Sequence, residues 1–158
     1  MAKEIERKFL VKNDLFKLNV QGKFYSQAYL NSNENRTVRI RIVEDKAYLT
    51  IKGIANSFSR DEFEYAIPLE DAQEMMRNIC EKPIIEKIRY RVTYANKLWE
   101  IDEFFGENKG LTVAEIELKS ESESFEEPEW LGIEVTGKKE YYNSSLVENP
   151  YTKWKIVP

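Results

Sequence analysis

The stretch EIERK, residues 4–8, sets Glu4, Glu6 and Lys8 at strict every-second-residue spacing, with Ile5 between them and Phe9 just beyond. In a β-strand alternate side chains share a face, so these three charges stand in one row on one side. Such a row is either an ordinary solvated face or the wall of a site, and the rest of the sequence bears on which.

Outward from this stretch the alternation recurs. EIERKFLV, TVRIRIV, AYLTIKG, DEFEYAI, EKIRYRVTY, LWEIDEF and VAEIELK are rich in Ile, Val, Tyr and Phe and read as strands of an antiparallel sheet. NSNEN (31–35) and EDK (44–46) suit hairpin loops, and FGENKG carries Gly106 and Gly110 where a positive φ is easy. The order describes a meander that can curl and close. One segment differs: after Pro68, LEDAQEMMRNIC places Ala72, Met75, Met76, Ile79 and Cys80 near one stripe at helical spacing. Glu70 and Asp71 in its first turn favour the helix dipole, and Pro83 follows its end. Its two methionines read as core packing. A second helical region is expected after Glu127 and Pro128, where Trp130, Leu131 and Val135 can pack down, and a short third begins between Asn143 and Leu146. With no repeat and no low-complexity linker, residues 1–158 read as a single domain.

Composition narrows the chemistry. The 158 residues are 42% hydrophobic and 13% aromatic, ample for a folded globule. Lys plus Arg number 24 against 28 for Asp plus Glu, a formal net charge of -4, so no global basic field draws the chain to nucleic acid or to an anionic membrane. Any anion site is therefore local. There is no histidine, which removes imidazole general bases, catalytic triads and nearly every zinc site. Carboxylates, Lys, Arg and Tyr remain for the chemistry. The lone Cys80 forms no internal disulfide, and the charged start reads as neither signal peptide nor membrane span, so the expected location is cytoplasmic.

Sorted into two faces, the strands separate by chemistry. One face carries Glu4, Glu6, Lys8, Arg39, Arg41, Lys52, Glu62, Glu64, Lys87, Arg89, Glu100, Asp102, Glu115 and Glu117. The other carries Ile5, Phe9, Val38, Ile40, Ile42, Leu49, Ile51, Phe63, Tyr65, Ile88, Tyr90, Ile101, Ala114, Ile116 and Leu118. On any single strand the plain reading is an apolar core face and a wet face. Solvated faces usually mix Thr, Ser, Gln and Lys, however, whereas these positions are almost purely charged and fall in like-signed pairs, which repel. If the sheet closes into a barrel with its apolar face covered by helices, the charges line a lumen. Six bases there (Lys8, Arg39, Arg41, Lys52, Lys87, Arg89) suit a polyanion, and clustered carboxylates suit a divalent cation with hard oxygen ligands, magnesium or manganese. A metal-bridged polyphosphate and a merely charged surface both remain open from the residues alone.

The residues also resemble a known family. EIERK matches the ExExK signature of the CYTH domain, found in the triphosphate tunnel metalloenzymes, and the likeness extends through QAYL, RTVRIR, LTIKG, RDEFEYAIP, EKIRYR, WEIDEF, AEIEL, WLGIEVT and YYNSSL. Bacterial inorganic triphosphatases are the relatives it is similar to. The resemblance implies a mainly β chain with peripheral helices (α+β), an eight-stranded antiparallel β-barrel forming a tunnel that binds a triphosphate. It implies that Glu4, Glu6, Asp102, Glu115 and Glu117 bind the metal, Mg2+ or Mn2+, that Lys8, Arg39, Arg41, Lys52, Lys87 and Arg89 bind the triphosphate, and that Glu62 and Glu64 are supporting acids that orient bases or touch metal. Lys8 and Tyr29 would act together in catalysis at one end of the triphosphate, Tyr29 having core packing as its alternative role. After EVTG the chain departs from the family pattern: Lys138, Lys139, Glu140 and Tyr141 stand where an arginine is expected. Either lysine replaces it from a neighbouring position, or that contact is dispensable.

Inorganic triphosphatase, thiamine triphosphatase and adenylate cyclase readings share such walls. No aromatic cluster or insertion dedicated to an organic base is evident and the loops are short, which favours tripolyphosphate, hydrolysed to pyrophosphate and phosphate. A polyphosphate- or nucleotide-binding module without turnover is the non-enzyme alternative. The expected partner is the small-molecule triphosphate, with no nucleic acid and no membrane. Trp99, Trp130 and Trp154 are core residues or mark the interface of a homodimer.

Overall fold

The backbone hydrogen bonds of the strands are satisfied in a ring. A computed structural model describes residues 3–54 and 59–154 of the chain; residues 1–2, 55–58 and 155–158 of the expected single domain lie outside the described residues. Its strands are β1 (Lys3–Val11), β2 (Lys23–Asn31), β3 (Arg36–Val43), β4 (Lys46–Gly53), β5 (Ser59–Ile67), β6 (Ile85–Tyr94), β7 (Lys97–Phe104), β8 (Thr112–Glu117) and β9 (Leu131–Glu134). The spatial order runs β1, β8, β7, β6, β2, β3, β4, β5, and β5 returns to β1 through Lys3↔Asp61, Glu4↔Arg60 and Ile5↔Ser59. Eight antiparallel strands thus close into a barrel, as expected, and closure removes the free sheet edges. Among the described residues no helix is long and apolar enough to cross a membrane.

The apolar side of the sheet faces outward, and the core lies between the barrel and the segments wrapped around it. Helix α1 (Leu69–Asn78) lays Ala72 and Met76, with Cys80 beyond its end, over Ala28, Ile40 and Ala47. Phe9, Trp99, Ile101, Ala114 and Ile116 are covered by Phe16, Trp130 and Leu131, with Trp99 and Trp130 edge to face at 5.5 Å. Helix α2 (Ser145–Glu148) contributes Leu146 and Val147 to a third cluster with Tyr29, Ile85, Phe104, Leu111 and Val113. The helix stripe expected over residues 69–80 holds except at its end: Ile79 closes the helix and is largely exposed.

The helix expected after Pro128 is instead a strand. Pairing of β5 with β1 ends at Ile5, leaving the same edge of β1 open further along, and β9 fills it through Phe9↔Glu134 and Val11↔Leu131. Buried backbone N–H and C=O groups need partners, and a helix here would leave those of β1 unpaired. Gly132 permits the approach, since a Cβ there would come within 2.8 Å of the Leu10 carbonyl oxygen. Trp130, Leu131 and Val135 are all buried as expected, but from a strand and its flanks. Strand β2 was also not among the alternating runs: its inward positions Tyr25, Gln27 and Tyr29 carry no charge, and Ala28, facing outward, is buried as well.

Candidate functional site

The inner face of the barrel encloses a cavity of about 300 Å³ lined by seven bases and seven carboxylates, together with Tyr29, Tyr142, Asn143 and several hydroxyl side chains. Strand alternation supplies the inward residues and antiparallel register sets their neighbours. Lys8 lies opposite Glu115 and Glu6 opposite Glu117 across β1 and β8; Lys52 lies opposite Glu62 across β4 and β5; Tyr29 lies opposite Arg39 across β2 and β3. Glu4, Glu6, Lys8, Tyr29, Arg39, Arg41, Lys52, Glu62, Glu64, Lys87, Arg89, Glu115 and Glu117 all line the cavity. Asp102, expected with the metal-binding acids, does not. It sits behind the wall at 1% exposure, with Oδ2 2.8 Å from Lys87 Nζ and its two oxygens accepting from Arg89 Nε at 2.7 Å and Nη2 at 2.9 Å.

One wall is basic. Arg39 and Arg41 of β3 and Lys87 and Arg89 of β6 flank β2, where the Tyr25 ring has the guanidinium carbon of Arg41 at 5.3 Å and that of Arg89 at 5.1 Å. The charges crowd: burial, then Arg39 and Arg89, bring Arg41 down to about 10. Burial also drives Lys87 down to about 7 against the opposing pull of Asp102. Arg89, by contrast, is held well above its usual value, because Asp102 outweighs its burial, and the same pairing keeps the buried Asp102 carboxyl well below the usual carboxylate range. Glu64 performs the corresponding service on β3, 3.2 Å from Arg41 and 3.7 Å from Arg39. The bases are thereby fixed before any ligand arrives.

The opposite wall, from β1 and β8 with Glu62 of β5, is acidic. Glu6 and Glu115 hydrogen bond to each other: burial and then Glu115 push Glu6 well above the usual range, whereas Lys8 and that shared bond outweigh burial and bring Glu115 down to about 2. Glu4 and Glu62 form a second such pair. Burial raises Glu4, but Lys52 at 3.1 Å and the bond with Glu62 leave it lowered; Glu62 is pushed up to about 7 by burial and then by Glu4. Glu117 is raised by burial, then by Glu4 and Glu100. Paired carboxylates whose charge burial and mutual repulsion disfavour are sites where a divalent cation can relieve the repulsion. Among the described residues no three such groups converge into a ready-made cage. A hard divalent cation can be held by one or two carboxylates, its shell completed by water and phosphate oxygens. The donor set fits a hard cation of this kind.

Lys8 Nζ donates to the Tyr141 carbonyl at 3.2 Å and stands 5.7 Å from the Tyr142 ring centroid. Lys138 and Lys139 are exposed, Lys139 pairing with Glu34 at 3.0 Å, and neither lines the cavity. A base missed in the sequence does: Arg60 of β5, over the Tyr142 ring at 5.8 Å. Its alternation with Glu62 and Glu64 was the available signal. Thr37 and Thr50, which also line the cavity, carried the same signal through their alternation with Arg39 and Lys52, whereas Tyr142, Asn143 and Thr136, outside the alternating runs, carried none.

Comparison with known proteins bears on this geometry. The CYTH domain family model matches residues 2–151. An inorganic triphosphatase of Acetivibrio thermocellus is 48% identical over 155 residues, covering 98% of this chain and 99% of that protein. Among solved structures, the inorganic triphosphatase NE1496 superposes with a TM-score of 0.67 at 30% identity, covering 90% of this chain and 96% of that one. A putative adenylyl cyclase from Hippeastrum described as having a dominant triphosphatase activity matches at 14% identity and a TM-score of 0.58, over 74% of this chain and 80% of its own, and shares the fold.

Proposed function

We propose, because this chain belongs to the CYTH domain family and its lumen opposes a basic to an acidic wall, that it is a metal-dependent triphosphatase acting on inorganic tripolyphosphate to give pyrophosphate and phosphate. The observation that carries this reading is the buried basic wall. Four bases held close together, with Asp102 behind Lys87 and Arg89 and Glu64 beside Arg41, repel one another until a polyanion lies in front. The nearly full-length likeness to a triphosphatase supports the same substrate class.

Glu4, Glu6, Glu115 and Glu117 are the residues that would hold the metal, Mg2+ or Mn2+. When bound, it supplies charge neutralisation at phosphate oxygens and a more acidic water. The chain's own groups do the rest. Arg39, Arg41 and Arg89 offer planar forks to phosphate oxygens, and Lys52 and Lys87 act as point charges. Asp102 and Glu64 keep those bases in place, and Arg60 adds a base beside Tyr142. Lys8 and Tyr29 act at one end of the triphosphate, Lys8 steadied there by the Tyr141 carbonyl. Phosphoryl transfer has a loose transition state, so positioning and fixed charge supply most of the acceleration, and water is the attacking group without a protein nucleophile. The setting is cytoplasmic, the domain spans residues 1–158, and neither nucleic acid nor membrane takes part.

Incubation of the purified chain with tripolyphosphate, ATP or thiamine triphosphate, each with magnesium and with manganese, tests the reading. Phosphate and pyrophosphate from tripolyphosphate are expected. Cyclic AMP from ATP, or no product from any substrate, overturns it.

A further inference from the structure

Asn143, in the segment between β9 and α2, has a side chain whose orientation is set by its neighbours. Its Oδ1 accepts from Gln27 Nε2 at 2.8 Å and from Lys87 Nζ at 2.9 Å. Lys87 Nζ, which also reaches the Asp102 carboxylate at 2.8 Å, is set as a donor, so the atom facing it is the carboxamide oxygen. With an oxygen there, Gln27 is in turn obliged to present its NH2 group. Both neighbours are buried, Gln27 at 0% and Lys87 at 1% exposure, so neither can turn away to water. The remaining half of the Asn143 carboxamide, Nδ2, makes no hydrogen bond among the described residues and is not one of the buried atoms left unpaired. Asn143 lines the cavity. Its NH2 group is therefore the part offered to the lumen.

The lock has a cost. Gln27 Oε1 is left buried without a partner, a penalty that an apolar side chain of similar size would avoid. An arrangement that spends stability to aim one amide is what a binding site requires.

We propose that Asn143 is a substrate-binding residue whose carboxamide, locked by Gln27 and Lys87, donates from Nδ2 to a phosphate oxygen of the triphosphate. The inference rests on the triphosphatase reading and adds to it. A neutral N–H donor cannot ligate a cation, so this corner of the lumen takes a phosphate oxygen and not the metal. It also stays a donor at every pH at which the chain is folded, unlike the lysine beside it.

Asn143→Asp is the discriminating variant, because an aspartate keeps an oxygen acceptor for both Gln27 and Lys87 but turns an anionic oxygen to the lumen. Calorimetric binding of tripolyphosphate without metal, and KM and kcat with magnesium, are measured for the unsubstituted chain, Asn143→Asp, Asn143→Ala and Gln27→Met. Asn143→Asp is expected to weaken tripolyphosphate binding and raise KM by at least about tenfold, the factor carried by one hydrogen bond to a charged group. Asn143→Ala, which also decides the matter should the aspartate variant not fold, is expected to weaken binding about tenfold, and Gln27→Met by about two- to fivefold through loss of the lock alone. Binding by Asn143→Asp, or by the alanine variant in its stead, within about twofold of the unsubstituted chain reduces Asn143 to a clamp on Lys87 and overturns the proposal. If the unsubstituted chain hydrolyses tripolyphosphate and the variants match it, only this inference fails. If it binds without turnover, the triphosphatase reading fails and the binding contrast still decides Asn143. A chain that does not bind tripolyphosphate at all overturns both.

Discussion

On the basic wall of the lumen each cation has a carboxylate placed to serve it, Lys87 and Arg89 on Asp102 and Arg41 on Glu64, whereas on the acidic wall Glu6 is set beside Glu115 and Glu4 beside Glu62, where burial and the like charge push Glu6 and Glu62 above the usual carboxylate range. Both walls are rows of like charges on adjacent strands, yet one is finished by the protein and the other is not. The difference lies in depth. Asp102 lies behind its bases, out of the lumen, so it steadies them without occupying the place of an anion. Among the described residues no base stands behind Glu6 and Glu115 in the same way; Lys8 and Lys52 approach from the lumen side. The basic wall is preorganised, and on the proposed reading the acidic wall is the one a cation would complete.

Substitutions on the two walls should therefore differ in kind. The largest effect is expected from Glu115→Gln, which removes a carboxylate from the unfinished wall: turnover of tripolyphosphate at saturating magnesium should fall on the order of a thousandfold while the melting curve stays cooperative. Near-normal rates would take Glu115 out of the metal site. Asp102→Asn should act on stability instead, costing about 3–5 kcal/mol in denaturant unfolding, because it strands Lys87 and Arg89 as buried charges with a weakened partner. An unfolding midpoint close to that of the unsubstituted chain would mean that the basic wall needs no backing. Tripolyphosphate with magnesium at about a hundred times its dissociation constant should stabilise the fold by about 2.7 kcal/mol, seen as a raised Tm. An unchanged Tm at millimolar ligand would speak against a lumen site.

A pH effect is smaller and comes from Lys87. Its folded pKa of about 7 lies below the unfolded value, so above pH 7 the unfolded chain binds more protons than the folded one. Stability from this group therefore rises with pH, by at most about 1.4 kcal/mol per unit, until the unfolded lysine also titrates. Urea titrations of the unsubstituted chain and of Lys87→Met between pH 7 and 9 should show that slope in the first and lose it in the second. The smallest effect is expected from Glu6→Gln, which relieves a like-charge contact and should leave stability unchanged or raised by up to about 1 kcal/mol. A large loss of stability there would erase the distinction between the walls.

Much of this could be read in advance, because charged alternation marks an inward face wherever it occurs. It located seven barrel strands and every expected charged site residue on the lumen but Asp102, while Tyr29 came from the family resemblance. It could not report depth: Glu100 and Asp102 share one face of β7, yet Glu100 lines the cavity and Asp102 is enclosed by its neighbours. Strand β2 escaped because its inward Tyr25, Gln27 and Tyr29 are uncharged, and with it went Gln27, the lock on Asn143. The segment at Trp130 misled because helical spacing of apolar residues says where a chain packs and not which open edge it must satisfy. Arg60 was readable from its alternation with Glu62 and Glu64, whereas Asn143 sits in irregular backbone, where no periodicity points.

Strand β1 pairs with β8 on one edge and shares its other edge between β5 and β9. Every one of those partners lies far along the chain, the last ending at Glu134. The strand that carries Glu4, Glu6 and Lys8 therefore precedes everything that holds it, and closing those long loops is slow. On the ribosome, β5 can reach the start of β1 early, but the edge facing β8 and the stretch facing β9 stay bare until those strands have emerged, so the acidic wall is assembled only after the basic one has its strands. A partly synthesised chain can therefore gather its arginines and lysines before it can set Glu6 and Lys8 beside Glu115 and Glu117.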